Sequence, residues 1–292
     1  MTEIYRAIAA IGDGINLPVS FICDTLGVSR SAFYAWRNHV LGIREREFAK
    51  LIPTVEAVFR LHRRRYGARR VAMALADQGI SCGPKRVAKI LKTQGIRAIQ
   101  PKSFVPKTTQ SRHGLGYSDN LLLEVMAPNE LNKQWVGDIT YLPLTSGGGC
   151  YLAGLMDLFS RNIVGWIVES SMTESLVLGA LKLAIRDRQP KPGLIHHSDR
   201  GRQYAGSMYR SILIKAGIQQ SMSRPENVYD NSFMESCWTS FKRELEMTEY
   251  ESVRRARTTI GEYVRYYRFE RKHSSLGYLT PNQFETRTMD QK

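Results

Sequence analysis

The chain has 292 residues, more than most single compact cores contain, so its length favours two or more domains. It carries 42 Lys and Arg against 27 Asp and Glu, a formal net charge of +15, which makes a polyanion the first class of partner to consider. With 42% hydrophobic and 24% charged residues, the composition is that of a globular protein and argues against a disordered or fibrous chain.

Several other classes of protein are excluded by what the sequence lacks. No apolar run approaches the roughly 18 residues of a membrane span, and the first residues do not resemble a secretion signal, so we expect a soluble intracellular protein with no membrane partner. The four cysteines form no CxxC pair, which argues against a zinc finger or a disulfide framework. His196 and His197 are neighbours in an apolar segment and would point to opposite faces of a strand, which predicts a structural or hydrogen-bonding role for at least one of them.

The excess positive charge lies in the first 130 residues, which hold 20 Lys and Arg against 10 Asp and Glu. Residues 1–42 predict a helix-turn-helix unit: one helix over residues 19–26 with Ile22 and Leu26 inward, a turn at Gly27, and a second helix capped by Ser29. The second helix would present four residues to a DNA groove: Arg30, Ser31, Tyr34 and Arg37. A plain helical hairpin is the alternative.

Residues 43–96 predict a second helical DNA-binding unit. Its helices are predicted over residues 44–65 and 84–94, with another between them that ends at residue 78. Its basic side chains are candidate DNA contacts: Arg64, Arg69, Arg70, Lys85, Arg86 and Lys89. A solvated basic face is the alternative for these residues. Residues 97–130 predict a basic linker, in which Lys102 and Lys107 would lie along a phosphate backbone unless the segment is disordered without DNA.

From residue 131 onward the pattern changes to short strands. Strands are predicted over residues 134–144, 150–156, 161–168, 193–197 and 218–222, with helices over residues 173–188, 204–216, 230–246 and 252–267 and a short one after Pro281. The predicted order is three strands, a helix, a strand, a helix, a strand and then helices. This is the order of the ribonuclease-H-like fold. We therefore expect a mixed five-stranded sheet with helices over residues 131–292, preceded by the helical units.

Three carboxylates occupy positions in that predicted core where metal ions would bind. Asp138 lies in the middle of the apolar first strand, where a carboxylate is costly unless a cation or hydrogen-bond donors satisfy it. Asp199 follows the fourth strand, and Glu235 lies on a polar stripe of the helix over residues 230–246. Three such carboxylates suit a pair of Mg²⁺ (or Mn²⁺) ions that activate an attacking oxygen and stabilise a leaving one. Asp157, at a strand end before a turn, is better explained as a cap.

The spacing of these residues resembles a known signature. Sixty residues separate Asp138 from Asp199 and thirty-five separate Asp199 from Glu235, which resembles the D,D(35)E signature of retroviral integrases and insertion-sequence transposases. The phrases WVGDITY, DLFSRNIVGW, HHSDRGRQY and SRPENVYDNSFMES are similar to those of the downstream-frame transposases of the IS3 family. The likeness also covers Tyr66-Gly67 and Lys85-Arg86-Val87, and so spans nearly the whole chain.

The resemblance implies a DNA transposase that binds terminal inverted repeats, cuts one strand at an element end, joins the 3′-OH to the other end to form a circle, and later integrates that circle. It implies that Asp138, Asp199 and Glu235 bind two metal ions and that Lys242 contacts terminal DNA. Arg200 and Arg202, in the phrase around Asp199, are further candidate DNA contacts. The implied partners are double-stranded terminal-repeat and target DNA, further copies of the chain, and an upstream-frame helix-turn-helix protein, in the bacterial cytoplasm at the nucleoid.

Two positions depart from the family pattern, since a Gly is expected where Glu226 stands and a small residue where Arg202 stands. DNA contacts near the site are therefore expected to differ from those of relatives. A retroviral-type integrase or a ribonuclease H is the alternative enzyme. The sequence lacks the His-His-Cys-Cys zinc module of the first, and its helical N-terminal units do not fit a plain ribonuclease H. A non-catalytic helix-turn-helix regulator is the alternative outside enzymes, and the three carboxylates argue against it because a DNA binder has no use for acid at its DNA-facing surface.

Overall fold

A computed structural model of the protein describes residues 1–15, 17–38, 42–100, 116–225, 228–246 and 248–290. The chain divides into two compact units, Met1–Arg97 and Ala98–Lys292. Nothing in the described part of the chain is a helix long and apolar enough to cross a membrane.

The first unit is helical. Its helices are α1 (Thr2–Ile15), α2 (Val19–Thr25), α3 (Arg30–Arg37), α4 (Ile43–Leu61), α5 (Ala68–Asp77) and α6 (Pro84–Thr93). The turn between α2 and α3 is the predicted one, with Gly27 at φ +64 and the Ser29 hydroxyl accepting from the Ala32 N–H at 3.4 Å. Ile22, Val28 and Phe33 are buried between the first three helices, but Leu26 is 49% exposed, so its predicted inward position is wrong. The turn after α2 rotates Leu26 outward and buries Val28 instead.

The end of α4 also differs from the prediction. The helix ends at Leu61 instead of Arg65, because Arg63 and Arg64 adopt positive φ angles of 50° and 62°. The basic run therefore forms a turn and does not continue the helix, and the exposed Arg64 side chain lies on that turn.

The second unit contains the predicted mixed five-stranded sheet. Its strands are β1 (Gln134–Pro143), β2 (Gly149–Asp157), β3 (Ile163–Glu169), β4 (Ile195–Ser198) and β5 (Gln219–Met222), in the spatial order β3-β2-β1-β4-β5. The first three strands form an antiparallel meander, and β4 and β5 continue the sheet in parallel to β1. Its helices are α7 (Glu174–Arg188), α8 (Ser207–Lys215), α9 (Ser232–Glu244), α10 (Val253–Phe269) and α11 (Pro281–Asp290).

The core of this unit lies between the sheet and its helices. Buried aliphatic side chains of α7, such as Leu176, Val177 and Leu181, pack with Trp135 of β1 and Leu155 of β2. Gly165 on β3 permits the close approach of α7, because a Cβ there would lie 2.3 Å from the carbonyl oxygen of Ala180. Tight packing on this side of the sheet holds the strands in a fixed register.

Part of the stretch predicted as a linker contacts the sheet. The Leu121 N–H donates to the Ser221 hydroxyl at 2.9 Å, the Met222 N–H donates to the Asp119 carbonyl at 3.2 Å, and the Ser118 hydroxyl donates to Gln220 at 3.1 Å. Residues 118–122 thus lie along β5, the edge strand, and provide an acceptor for its Met222 N–H, which an uncovered edge would leave open.

Candidate active site

Asp138 and Asp199 are brought together by the parallel pairing of β1 with β4. The pairing aligns Trp135 with His196 and Val136 with His197, so two residues further along each chain Asp138 and Asp199 stand at matching positions. Neighbouring strands lie about 4.8 Å apart, and residues in register point to the same face of the sheet. Two carboxylates that are 61 positions apart in the sequence therefore become neighbours.

Glu235 approaches the same place from α9, whose position is fixed by two contacts with β1. Before the helix, the buried Asn231 side chain donates to the carbonyl oxygen of Gly137 at 3.3 Å. One turn after Glu235, the Trp238 indole N–H donates to Oδ2 of Asp138 at 3.0 Å. The Glu235 side chain is exposed on this helix.

The electrostatics of the site are dominated by Asp138. Burial raises the pKa of Asp138 well above its ordinary value, and the charges of Asp199 and Glu235 raise it further. Hydrogen bonds from the Ile139 backbone and from Trp238 oppose that rise without cancelling it. Since the second and third carboxylates both act on Asp138, all three belong to one electrostatic cluster that favours the arrival of positive charge.

Lys242 lies on α9 two turns after Glu235 and is half-buried. Burial lowers the pKa of its ammonium group, while the negative charge of Asp138 acts in the opposite direction. A lysine in this position adds positive charge beside the carboxylates and can contact an anionic phosphate.

The donor set suits a hard divalent cation, because three carboxylates supply only oxygen ligands and Asp138 and Asp199 are already adjacent. No three His, Cys, Asp or Glu side chains among the described residues stand close enough to enclose a metal ion as they are. The Asp138, Asp199 and Glu235 carboxylates fit such a cation by their chemistry, although they do not enclose one as they stand.

Comparison with known proteins shows which family the chain belongs to. Residues 128–228 and 216–281 each match a family model described as an integrase core domain, and residues 45–104 match one described as an HTH-like domain. The chain is 41% identical over 244 residues to the transposase for insertion sequence element IS904 of Lactococcus lactis, covering 82% of this chain and 94% of that protein. It is 36% identical over 275 residues to the transposase InsF for insertion sequence IS3A of Escherichia coli, covering 93% of this chain and 95% of that protein. The chain belongs to the IS3 family of insertion-sequence transposases.

Other relatives and structures extend the comparison. This IS3-family chain is 38% identical over 265 residues to the 31 kDa protein of insertion element IS600 from Shigella sonnei, covering 90% of this chain and 97% of that protein. Similar solved structures include the simian T-cell lymphotropic virus intasome in complex with PP2A regulatory subunit B56 gamma, with a TM-score of 0.44 and 16% identity over 73% of this chain and 70% of that one. The catalytic core domain of BIV integrase has a TM-score of 0.42 and 15% identity over 55% of this chain and 97% of that domain.

Asp157 has the predicted capping role. Its Oδ1 accepts from the N–H groups of Phe159 and Ser160 at 3.0 and 2.9 Å, and its Oδ2 accepts from the Asn132 N–H at 2.7 Å. A fully buried carboxylate with these partners closes the turn between β2 and β3 and is not available as a ligand.

The two adjacent histidines are also structural, as predicted. His197 forms hydrogen bonds to the hydroxyls of Ser221 and Ser223 at 2.8 and 3.1 Å, and His196 forms one to the hydroxyl of Tyr209 at 2.7 Å. Burial lowers the pKa of His196 to about 3 and that of His197 to about 4, so both imidazoles are neutral near pH 7.

The predicted DNA contacts of the first unit lie on several of its surfaces. On α3, Arg30 forms an ion pair with Asp24 and Arg37 forms one with Asp13 at 3.2 Å, while Tyr34 is 45% exposed. These two arginines therefore have acidic neighbours within their own unit. Their charges are partly neutralised without DNA.

The basic residues of α5 and α6 form a second group. Arg69 is exposed, and the guanidinium of Arg70 lies 5.8 Å from the centre of the Tyr66 ring. Lys85, Arg86 and Lys89 are exposed on α6 along one side of a groove whose other side is α4. The Lys89 ammonium lies 5.4 Å from the centre of the Phe48 ring.

Arg200 and Arg202 follow Asp199 closely in the sequence of the second unit. The Arg200 side chain donates to the Ser223 carbonyl at 2.7 Å and lies 4.5 Å from the Tyr117 ring centre, whereas Arg202 is exposed. Lys102, Lys107 and Glu226 lie outside the described residues.

Two contacts of the site were missed by the sequence analysis. The hydrogen bond from Trp238 to Asp138 was not predicted from the sequence. Arg161, at φ 58 in the turn before β3, places its guanidinium 4.3 Å from the centre of the Phe233 ring at the start of α9. The signal for the first was Gly154 on β2, a residue without a side chain opposite Asp138.

Proposed function

We propose that this chain cuts one DNA strand at each end of its insertion sequence and transfers the freed 3′-OH to a second DNA segment. The products would be a joined circle and then an integrated element. The observation that carries the proposal is the placement of Asp138, Asp199 and Glu235, since three carboxylates in one electrostatic cluster have no structural use that the fold requires. Membership of a transposase family supports the same reaction.

In this proposal Asp138, Asp199 and Glu235 would hold divalent cations, Mg²⁺ or Mn²⁺, with two ions per site. Such cations, when bound, neutralise phosphate charge and make the attacking oxygen more nucleophilic. Asp138 must be ionised to act, and its hydrogen bond from Trp238 favours that form. Lys242 contacts a phosphate of the terminal DNA and keeps the backbone beside the carboxylates.

The DNA ends would be held by the helical unit, where the HTH-like match lies over residues 45–104. The exposed cations of α5 and α6 are the proposed contacts, with Arg30, Tyr34 and Arg37 of α3 as a second set. Arg200 and Arg202, and the basic segment containing Lys102 and Lys107, would contact the DNA that leads into the active site. Phosphate contacts of this kind give affinity, and base contacts by Tyr34 or the arginines would give specificity.

A reaction that joins two DNA ends requires both to be held together, so we infer at least a dimer on DNA, with an upstream-frame helix-turn-helix protein as a further partner. Mixing Glu235→Gln protein with Lys85→Ala plus Lys89→Ala protein tests this. Recovery of joining in the mixture is expected if one copy binds an end that another copy cuts. Failure at every mixing ratio, with both variants folded, would favour a subunit that binds and cuts the same end.

The enzyme and a mere DNA binder are separated by a strand-transfer assay on labelled terminal-repeat DNA. The whole chain should join the DNA in Mg²⁺ or Mn²⁺ and should bind without joining in EDTA. Binding that is the same in both conditions, with no cleavage in either, would favour the non-catalytic regulator.

A further inference from the structure

Trp238 links the helix that carries Glu235 directly to the Asp138 carboxylate. It lies on α9 one turn after Glu235, and its indole N–H donates to Oδ2 of Asp138 on β1 at 3.0 Å. The side chain is 5% exposed, so water does not compete with this hydrogen bond as it would at the surface. The indole therefore joins the helix that carries one carboxylate to the strand that carries another.

Gly154 makes room for this contact. It is the register partner of Asp138 in the antiparallel pair of β1 with β2. A Cβ at Gly154 would lie 2.6 and 3.1 Å from two carbon atoms of the indole ring, Cη2 and Cζ2. Any other residue at position 154 would push the ring away from the sheet, and the N–H with it.

The far side of the ring is also held. Phe241 packs against Trp238 edge to face, with ring centres 5.2 Å apart and an interplanar angle of 90°. Phe241 in turn packs against Tyr263 of α10, with ring centres 4.4 Å apart. The indole lies between the sheet and buried aromatic rings, which leaves its N–H little freedom to leave Asp138.

We propose that Trp238 is a positioning residue for cation binding: its N–H holds the Asp138 carboxylate in one orientation, and its ring sets the distance of the Glu235 helix from Asp138. This inference rests on the proposed function. Groups that hold a metal ligand in place influence affinity strongly, and their loss commonly weakens metal binding by about 10- to 100-fold.

The test measures binding of Mn²⁺ alone to the whole protein by calorimetry, for the wild type and Trp238→Phe. The phenylalanine keeps an aromatic ring and removes the N–H, so the dissociation constant for Mn²⁺ should rise about tenfold or more. Trp36→Phe is the matched control, because Trp36 is half-buried on α3 of the first unit and packs against Tyr5 and Phe33. It should bind Mn²⁺ like the wild type.

A second pair of variants tests the same contact by changing the glycine that the indole packs against. Gly154→Ala should displace the indole and weaken Mn²⁺ binding in the same direction as Trp238→Phe. Gly261→Ala is its control, since the added Cβ would lie 3.3 Å from the Trp166 ring and far less crowding results. Equal Mn²⁺ affinity for Trp238→Phe and the wild type would overturn the inference.

Asp138→Asn separates this inference from the proposed function. If Asp138→Asn binds Mn²⁺ like the wild type, the cation site itself is wrong. If Asp138→Asn loses Mn²⁺ binding while Trp238→Phe keeps it, the site stands and the positioning role fails. Should Trp238→Phe not fold, the indole N–H resonance of Trp238 gives the answer in a folded protein: it should shift in Asp138→Asn, and an unchanged resonance would overturn the inference.

Discussion

Arg271 and Glu244 form an ion pair inside the protein, with the guanidinium Nη2 2.8 Å from Oε1 of the carboxylate and both side chains buried. The Tyr263 hydroxyl donates to the other oxygen, Oε2, at 2.9 Å. Glu244 is the last residue of α9, so these contacts fix the end of the helix that carries Glu235 and Lys242.

Removal of the Glu244 charge should destabilise the fold, because Arg271 would remain buried without its carboxylate. We expect Glu244→Gln to lower the free energy of unfolding by about 3 kcal/mol or more, measured by urea denaturation. Glu262→Gln, an exposed change on α10, is the matched control and should cost little. A loss below about 1 kcal/mol in Glu244→Gln would contradict the role of this pair.

Asp157→Asn should act on stability and leave the chemistry intact. The asparagine keeps one acceptor oxygen and loses the other, so one or more of the turn's hydrogen bonds is lost, at a cost of about 1 to 3 kcal/mol. The folded fraction should still cleave terminal-repeat DNA at the wild-type rate. Asp187→Asn, an exposed substitution at the end of α7, is the control. Loss of cleavage in a well-folded Asp157→Asn protein would mean that Asp157 takes part in the reaction.

Asp230 should titrate at unusually low pH. Hydrogen bonds from the Arg224 side chain, at 3.1 and 3.0 Å, lower the pKa of Asp230 to about 2, and Asn120 adds a bond at 2.8 Å. Since the folded pKa lies below the ordinary value of 3.8, the stabilisation is complete above pH 3.8 and is lost as the pH falls toward 2. Carbon NMR of the carboxyl group measures this directly.

Arg224→Gln should return the pKa of Asp230 toward 3.8. With Arg224 in place, the difference in unfolding free energy between the wild type and Asp230→Asn should shrink as the pH falls from 4 to 2. If the Asp230 resonance titrates near 4 in the wild type, the Arg224 contact is not maintained in solution.

The cations of α6 should contribute to DNA affinity through phosphate contacts. Each lost phosphate contact reduces the slope of log affinity against log salt by about 0.9, so Lys85→Ala plus Lys89→Ala should flatten it by about 2. Lys191→Ala removes an exposed lysine from the second unit and should change neither the slope nor the affinity. An unchanged slope in the double variant would place DNA binding on another surface.

The strands were predictable because alternation, glycine turns and apolar runs are local signals. The first strand was expected over residues 134–144 and is observed as Gln134–Pro143. Errors arose where no local signal exists. Nothing in the side chains of Arg63 and Arg64 marks a left-handed turn. The helix predicted from residue 204 begins only at Ser207, because Tyr204 and Ala205 are buried in the preceding turn.

The identity of the three carboxylates could be predicted from their spacing, but their neighbours could not. The bond between Trp238 and Asp138 depends on how closely α9 approaches the sheet, which is set by Gly154 on a third element. The register of β1 and β4 likewise joins segments 60 residues apart. Contacts of this kind follow from packing of the whole unit.

The most direct test of the account is strand cleavage and joining by Asp138→Asn, Asp199→Asn and Glu235→Gln in Mg²⁺, with binding to terminal-repeat DNA measured on the same samples. Each single substitution should abolish cleavage and joining and leave DNA binding unchanged, because each removes one of the proposed cation ligands. Near wild-type joining by any one of the three folded variants would contradict the proposed active site.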